Sequence, residues 1–225
     1  MNVKPLLIMN AIVIIAMLAL SAWVWPSIPD AAQLPVHWNL DGEPDRFGSK
    51  WEALLALPIV AVVLTAIFLV LPYFDPRREN LARSAKLWNA AAIGAVLLIA
   101  GLHVFLVLGA TNQIADIKNY LVIGISALFI LLGNYLGKSR SNWFAGVRTP
   151  WTMSSDYAWE KTHRWAGRLF VLTGVVTLLA WLVTDVKIAA YVMIGSIVAT
   201  SLASVVLSYI FWRNDPGRVE ANGDA

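Results

Sequence analysis

Residues 87–115 read LWNAAAIGAVLLIAGLHVFLVLGATNQIA, 29 consecutive positions without a lysine, arginine, aspartate or glutamate. A helix rises about 1.5 Å per residue, so roughly 20 apolar residues cross the ~30 Å hydrocarbon layer of a bilayer. This stretch is long enough. Five more uncharged stretches follow the same logic, at 5–29, 53–74, 119–137, 169–184 and 188–212. The shortest, 169–184, is flanked by Arg168 and Lys187, whose long side chains can carry their charges to opposite interfaces. None alternates strictly between apolar and polar residues, which argues against membrane strands. The expectation is an all-α integral membrane protein, a single six-span domain over 1–225. Its six transmembrane helices run at about 6–25, 53–73, 89–110, 119–137, 168–184 and 189–212.

The whole chain agrees with that reading. Of 225 residues, 59% are hydrophobic and 14% charged, there are 11 tryptophans and no cysteine, and mean hydropathy is +0.66. Soluble domains carry about a quarter charged residues. A disulfide scaffold and a cysteine-ligated metal protein are excluded. The first span has only Lys4 ahead of it, an apolar run too long for a signal peptide, and no small-x-small cleavage site, so it reads as uncleaved.

Orientation follows from the basic residues. One side collects 13 of the 17 lysines and arginines and the other only Arg46, Lys50, Lys118 and Lys187. The positive-inside rule puts both termini in the cytoplasm. The net charge of +3 is therefore a membrane signature, and direct nucleic-acid binding is not implied. The bilayer itself is the first partner.

Two connections are too long to be turns, an outer loop at 26–51 and a cytoplasmic loop at 138–168. The links at Thr111–Lys118 and Thr184–Ala189 are short enough to make antiparallel helical hairpins. The outer loop carries His37, Trp38, Asp45 and Lys50 among turn-forming Asp-Gly and Pro-Asp pairs, and it reads as a compact structured surface. His37, Asp41, Glu43 and Asp45 do not have the spacing of a calcium loop. In the cytoplasmic loop, Ser154 and Ser155 are positioned to cap an interfacial helix with Asp156 and Glu160 in its first turns. Trp159 and His163 share one face of that helix, and Glu160 and Arg164 make an i,i+4 pair. Asn134, Arg148, Thr152 and His163 are read as a polar network pinning the loop to the bundle, with the Arg148 guanidinium between Trp143 and Trp151 able to stack on indole.

These loops carry a family resemblance. Pro35-Val36-His37-Trp38, Gly42-Glu43-Pro44-Asp45 and Gly48-Ser49-Lys50 resemble the outer-loop signature of the Sdp immunity-protein (SdpI) family of bacterial membrane proteins. Gly133-Asn134, Asn142, the run Gly146-Val147-Arg148-Thr149-Pro150-Trp151-Thr152 and the run Trp159-Glu160-Lys161-Thr162-His163-Arg164 resemble its second signature. The resemblance implies a multi-pass protein of the bacterial cell membrane that protects against a secreted membrane-active toxin peptide. Its partners would be that peptide outside and, in the family's founding example, a transcriptional repressor held at the cytoplasmic face. The expected binding residues are His37, Trp38, Asp45 and Lys50 in the outer loop. In the cytoplasmic loop they are Asn134, Asn142, Arg148, Trp151, Thr152, Trp159, His163 and Arg164, in a binding or structural network.

Other classes fare worse. The chain has no nucleophile elbow, no H-E-x-x-H, no P-loop and no dinucleotide fingerprint, so no enzyme, cofactor or metal is implied. His103, in the middle of the third span, is the feature behind the alternative, a small-solute or ion transporter. No Asp, Glu, Lys or Arg lies within the uncharged stretches to relay a proton from it. Packing features complete the picture: Gly133 and Gly137 in span four, Pro58 in span two, and Ser196, Thr200, Ser204 and Ser208 four apart along span six.

Overall fold

A computed structural model describes residues 1–39, 42–111 and 117–218. Asp41 of the outer-loop acidic group and most of the Thr111–Lys118 link lie outside the described residues. Six helices are long and apolar enough to cross a membrane. They are α1 (Lys4–Val24), α2 (Lys50–Val70), α4 (Ala85–Ala110), α5 (Ile117–Leu136), α7 (Asp156–Val183) and α8 (Val186–Arg213). Two short helices, α3 (Arg78–Arg83) and α6 (Pro150–Ser154), sit at one end of the bundle, hereafter the loop end. The short fifth uncharged stretch belongs to a helix of 28 residues, because the interfacial helix of the loop runs straight into it.

Local chemistry explains where the helices begin. Ser49 accepts the Glu52 N–H and caps α2, Ser155 accepts from Ala158 and caps α7, and Asp185 accepts from Lys187 and Ile188 to cap α8. Each cap satisfies amide donors that a helix start leaves without partners. Only Thr184 and Asp185 separate α7 from α8, so the two pack as an antiparallel pair. α2 continues as helix through Pro58.

At the opposite end the long connection between α1 and α2 contains strands, an addition to the all-α expectation. β1 (Gln33–Trp38) pairs antiparallel with β2 (Pro44–Ser49), with register shifts either side of His37. Pro35 and Pro44 made this hairpin hard to foresee. A two-stranded ribbon has two open edges, and there a proline's missing N–H costs no ladder bond. Burial of Leu34 against Val24, Ile28, Leu54 and Val107 fastens the hairpin to the bundle.

The bundle falls into two three-helix halves, α1/α2/α4 and α5/α7/α8, that meet mainly along α4 and α5. The first half packs through ordinary side chains, in layers that include Met17, Ala61 and Val96, then Leu6, Leu81, Trp88 and Ala92. The second packs through small groups, as membrane helices commonly do. A Cβ at Gly133 would lie 2.6 Å from the Gly167 carbonyl oxygen, and one at Gly167 would lie 2.7 Å from that of Gly133. The Thr173 and Thr200 hydroxyls meet at 2.7 Å between α7 and α8. Around the outside, Ile12, Ile15, Ile59, Val63, Leu182 and Leu202 are exposed, the surface a bilayer would cover.

Gly133→Ala or Gly167→Ala should therefore overpack the α5–α7 contact by about 1–3 kcal/mol. Thermal unfolding of the purified protein in detergent should show a clear drop for both. Gly195→Ala, where nothing lies within 4 Å, should show none.

Candidate functional site

The segment between α5 and α7 has little regular structure, so its peptide groups need partners. Asn142, fully buried, supplies four. Its Oδ1 accepts the N–H groups of Phe144 (3.0 Å) and Ala145 (2.7 Å), and its Nδ2 donates to the carbonyls of Arg140 (2.8 Å) and Ala145 (3.2 Å). His163, also fully buried, is held from both sides. The Val147 N–H donates to Nε2 at 2.9 Å, and Nδ1 lies 2.8 Å from the Trp159 carbonyl. One nitrogen must accept and the other donate, which requires neutral imidazole with its proton on Nδ1. The ring stacks on Trp159 at 4.0 Å between centroids, and Trp159 Nε1 donates to the Ser139 carbonyl. Gly146 makes this approach possible: its φ is +119°, and a Cβ there would overlap His163 Nε2.

Thr152 closes the next turn. Its hydroxyl donates to the Val147 carbonyl at 2.8 Å and accepts the Thr149 N–H at 2.9 Å, while Thr149 Oγ1 accepts the Thr152 N–H. This is a reciprocal cap on α6, with Pro150 at its start. Thr149 also donates to Ser208 at 3.0 Å, and Trp151 meets Tyr209 edge-on, so the small polar ridge of α8 anchors the loop.

Part of the expected network is absent. Asn134 is exposed and its amide donates back to Ile130 of its own helix at 3.0 Å; an amide near a helix end satisfies itself there without reaching the loop. Arg148 is exposed too. Its guanidinium donates to the Trp143 carbonyl at 2.5 Å, and the cation–ring contacts among the described residues involve Lys50, Lys161, Arg168 and Arg218 instead. Arg164 pairs with Glu160 on the exposed face of α7, and Arg140 approaches the same carboxylate at 3.8 Å.

The sequence reading missed the groups that hold the loop from the other half. Asp75, 1% exposed, accepts the Arg77 N–H at 2.7 Å and the Trp143 N–H at 3.1 Å. Arg77 donates to Ser141 and, at 3.0 Å, to the Met153 carbonyl, and Asn80 donates to the Ser141 carbonyl at 2.9 Å. Ser84 accepts the Arg140 N–H at 2.8 Å. The available signal was Asp75-Pro76-Arg77 directly after an uncharged stretch, where a carboxylate needs a reason to be.

At the hairpin end the four expected residues do not form one surface. His37 Nδ1 lies 2.6 Å from Asp45 across the exposed ribbon. Trp38 packs edge-on against Phe105, and Lys50 is buried, with its ammonium 2.9 Å from Asp30 and 4.7 Å from the Trp25 ring. Trp38 and Lys50 thus hold the hairpin to the bundle, leaving His37 and Asp45 on the outside. Inside the bundle, His103 Nε2 lies 3.0 Å from Ser21 Oγ and 3.2 Å from the Met17 carbonyl, joining α4 to α1. Among the described residues no three His, Asp or Glu side chains could hold a metal ion.

Six apolar spans capped by a ribbon at one end and a hydrogen-bonded loop at the other define a multi-pass membrane protein. Residues 138–210 match the model of the SdpI/YfhL protein family, and residues 12–62 that of a domain of unknown function, DUF1648. The immunity protein SdpI of Bacillus subtilis (strain 168) is 20% identical over 184 residues, 80% of this chain and 84% of that protein. An uncharacterized protein of Archaeoglobus fulgidus is 38% identical over 68 residues, 30% of this chain and 36% of its own length. No solved structure matches. The chain is thus a multi-pass bacterial membrane protein with similarity to the SdpI family; the match at 138–210 takes in the loop after α5 with α7 and most of α8, and that at 12–62 takes in the hairpin with parts of α1 and α2.

Asn142→Ala would leave two N–H groups and two carbonyls short of partners, each a loss on the order of 1–3 kcal/mol where buried. Arg148→Ala removes one exposed bond. Membrane abundance and unfolding temperature should fall sharply for the first and little for the second. Arg148→Lys should then behave like wild type.

Proposed function

We propose that this protein is a membrane immunity protein that protects a bacterium against a secreted membrane-active toxin peptide. The observation that carries the reading is similarity to an immunity protein along 84% of that relative's length. The hairpin end is read as facing outward and the loop end as cytoplasmic, because the basic residues cluster at the loop end. The outward ribbon offers an exposed Glu43, Asp45 and Phe47, and at its end Trp51 is exposed against Trp25, a surface suited to an amphipathic, cationic peptide at the headgroup level. The finer part of the proposal is inward signalling. Exposed Arg148 and Arg164, both at the loop end, would meet a cytoplasmic repressor protein. A transporter of a small solute or ion is the other reading. It draws on His103, whose Nδ1 is buried without a partner among the described residues.

Orientation is tested with single cysteines, since the chain has none of its own. In intact cells an impermeant maleimide should label Glu43→Cys and spare Ser154→Cys, both exposed positions; the reverse pattern overturns the orientation. For protection, Asp45→Ala and Phe47→Ala should abolish survival of an otherwise sensitive host challenged by a toxin-producing strain. Protein level should stay normal, because exposed substitutions shift stability by about 0.5 kcal/mol at most. Full protection by both variants would remove the ribbon from recognition. Solute or ion flux in proteoliposomes, absent from empty ones, would favour the transporter.

A further inference from the structure

The two halves touch at mid-height and differ at their ends. Leu98 lies halfway along α4, 13 residues after Ala85 and 12 before Ala110. There the Tyr120 hydroxyl of α5 donates to the Leu98 carbonyl at 2.6 Å, and a Cβ at Gly94 or Gly124 would come within 2.7 Å of Leu128 or Leu98. Towards the hairpin the halves part around a cleft of about 360 Å³, lined by Leu57 and Leu102 of the first half and Leu121 and Met193 of the second. At the loop end they are tied. Residues 140–143 are bonded to the first half: Ser84 accepts the Arg140 N–H at 2.8 Å, Asn80 donates to the Ser141 carbonyl at 2.9 Å, and Asp75 accepts the Trp143 N–H at 3.1 Å. Residues 147–149 are bonded to the second, Val147 to His163 at 2.9 Å and Thr149 to Ser208 at 3.0 Å. We propose that the bundle is a rocker. Its halves turn on the α4–α5 contact, so that closing the cleft at the hairpin end pulls open this strap at the loop end.

A pivot at mid-height couples the two ends with opposite sign. The halves meet mainly along α4 and α5, and packed helices shift between discrete arrangements as bodies. Space at the hairpin end gives the motion somewhere to go. The strap is placed to register it, because its apolar tip is keyed into both halves. Phe144 and Ala145 pack on the layer of Leu81 and Trp88, and Ala145 and Val147 on Leu136 and Ala166. Trp143 and Val147 are four residues apart, a segment that spans at most about 14 Å when extended. Asn142 gathers it into a turn through Phe144 and Ala145, so parting of the halves draws on those bonds first. Trp143 and Arg148 are exposed on the strap. Its release therefore changes the surface offered at the loop end, with no charge moving through the spans. The inference concerns the bundle's mechanics and stands independently of the immunity reading.

The test uses the full chain in nanodiscs. Leu57→Cys with Met193→Cys, oxidised to a disulfide, pins the cleft walls together, since that bond needs Cα atoms about 4.4–6.8 Å apart. Amide hydrogen exchange across 140–147 should then rise about tenfold over the reduced protein, as a local opening does, while 94–98 at the pivot stays protected. Unchanged exchange in the strap, or a pair that never oxidises, overturns the proposal. The converse arm unties the strap with Asp75→Ala. Spin labels at Ser27→Cys and Val183→Cys report the hairpin end, and labels at Glu79→Cys and Arg168→Cys the loop end; all four positions are exposed. Electron–electron distances should lengthen at the loop end and shorten at the hairpin end. A change at the loop end alone means local fraying, and lengthening at both ends means the halves separate; either result overturns the rocker. Should Asp75→Ala fail to fold, the pinned cleft decides by itself.

Discussion

Backbone groups that leave a helix at the edge of a bilayer must find partners within the protein, and the loop between α5 and α7 is organised around that requirement. Asn142 satisfies four of its peptide groups and His163 a fifth, both from fully buried positions. An unpaired peptide group there costs about as much as a lost hydrogen bond, so the loop holds one conformation only while these side chains are in place. That conformation decides where α6 sits, how Thr149 reaches Ser208 of α8, and how Asp75 and Arg77 couple the loop to the first half. Most of the polar signature residues at this end serve the backbone, and few of them face out.

The two ends use different chemistry for the same task. The loop end relies on hydrogen bonds because its chain is irregular. The hairpin end satisfies its own peptide groups within the ribbon, so apolar burial at Leu34, an edge-on ring contact at Trp38 and the buried Lys50 reaching the exposed Asp30 suffice to attach it. This leaves His37 and Asp45 paired in the open. Between the ends, close glycine contacts tie α5 to α7, whereas side-chain layers hold α1, α2 and α4. The halves therefore join along one seam, and space remains at its hairpin end.

The polar pairs inside the spans fit the same economy. Asn10 donates to Thr65 at 3.0 Å, and His103 meets Ser21; each ties α1 to a neighbour without introducing a charge into hydrocarbon. Among the described residues of the helix middles there is no carboxylate or ammonium group beside His103. This is the geometry of a packing histidine, and it is why the proposed function rests on the ends of the molecule.

Charge-free length alone determined the number of spans, since crossing hydrocarbon demands about 20 uncharged residues whatever their neighbours. Cap chemistry at Ser155 and the aromatic face of Trp159 and His163 were equally legible, because caps and helical faces are local. The hairpin was not, since its stability comes from Leu34 reaching α1, α2 and α4, and its prolines disguise the strands. Nor could sequence distinguish Asn142 and Thr152, which build the loop, from Asn134 and Arg148, which carry little of it. All four are polar residues in one short region, and their roles depend on which backbone groups lie within about 3 Å. That depends on how α5, α7 and α8 pack. Asp75 and Arg77 joined the site for the same reason, brought to Trp143 and Met153 across 68 and 76 residues of chain by the meeting of the two halves.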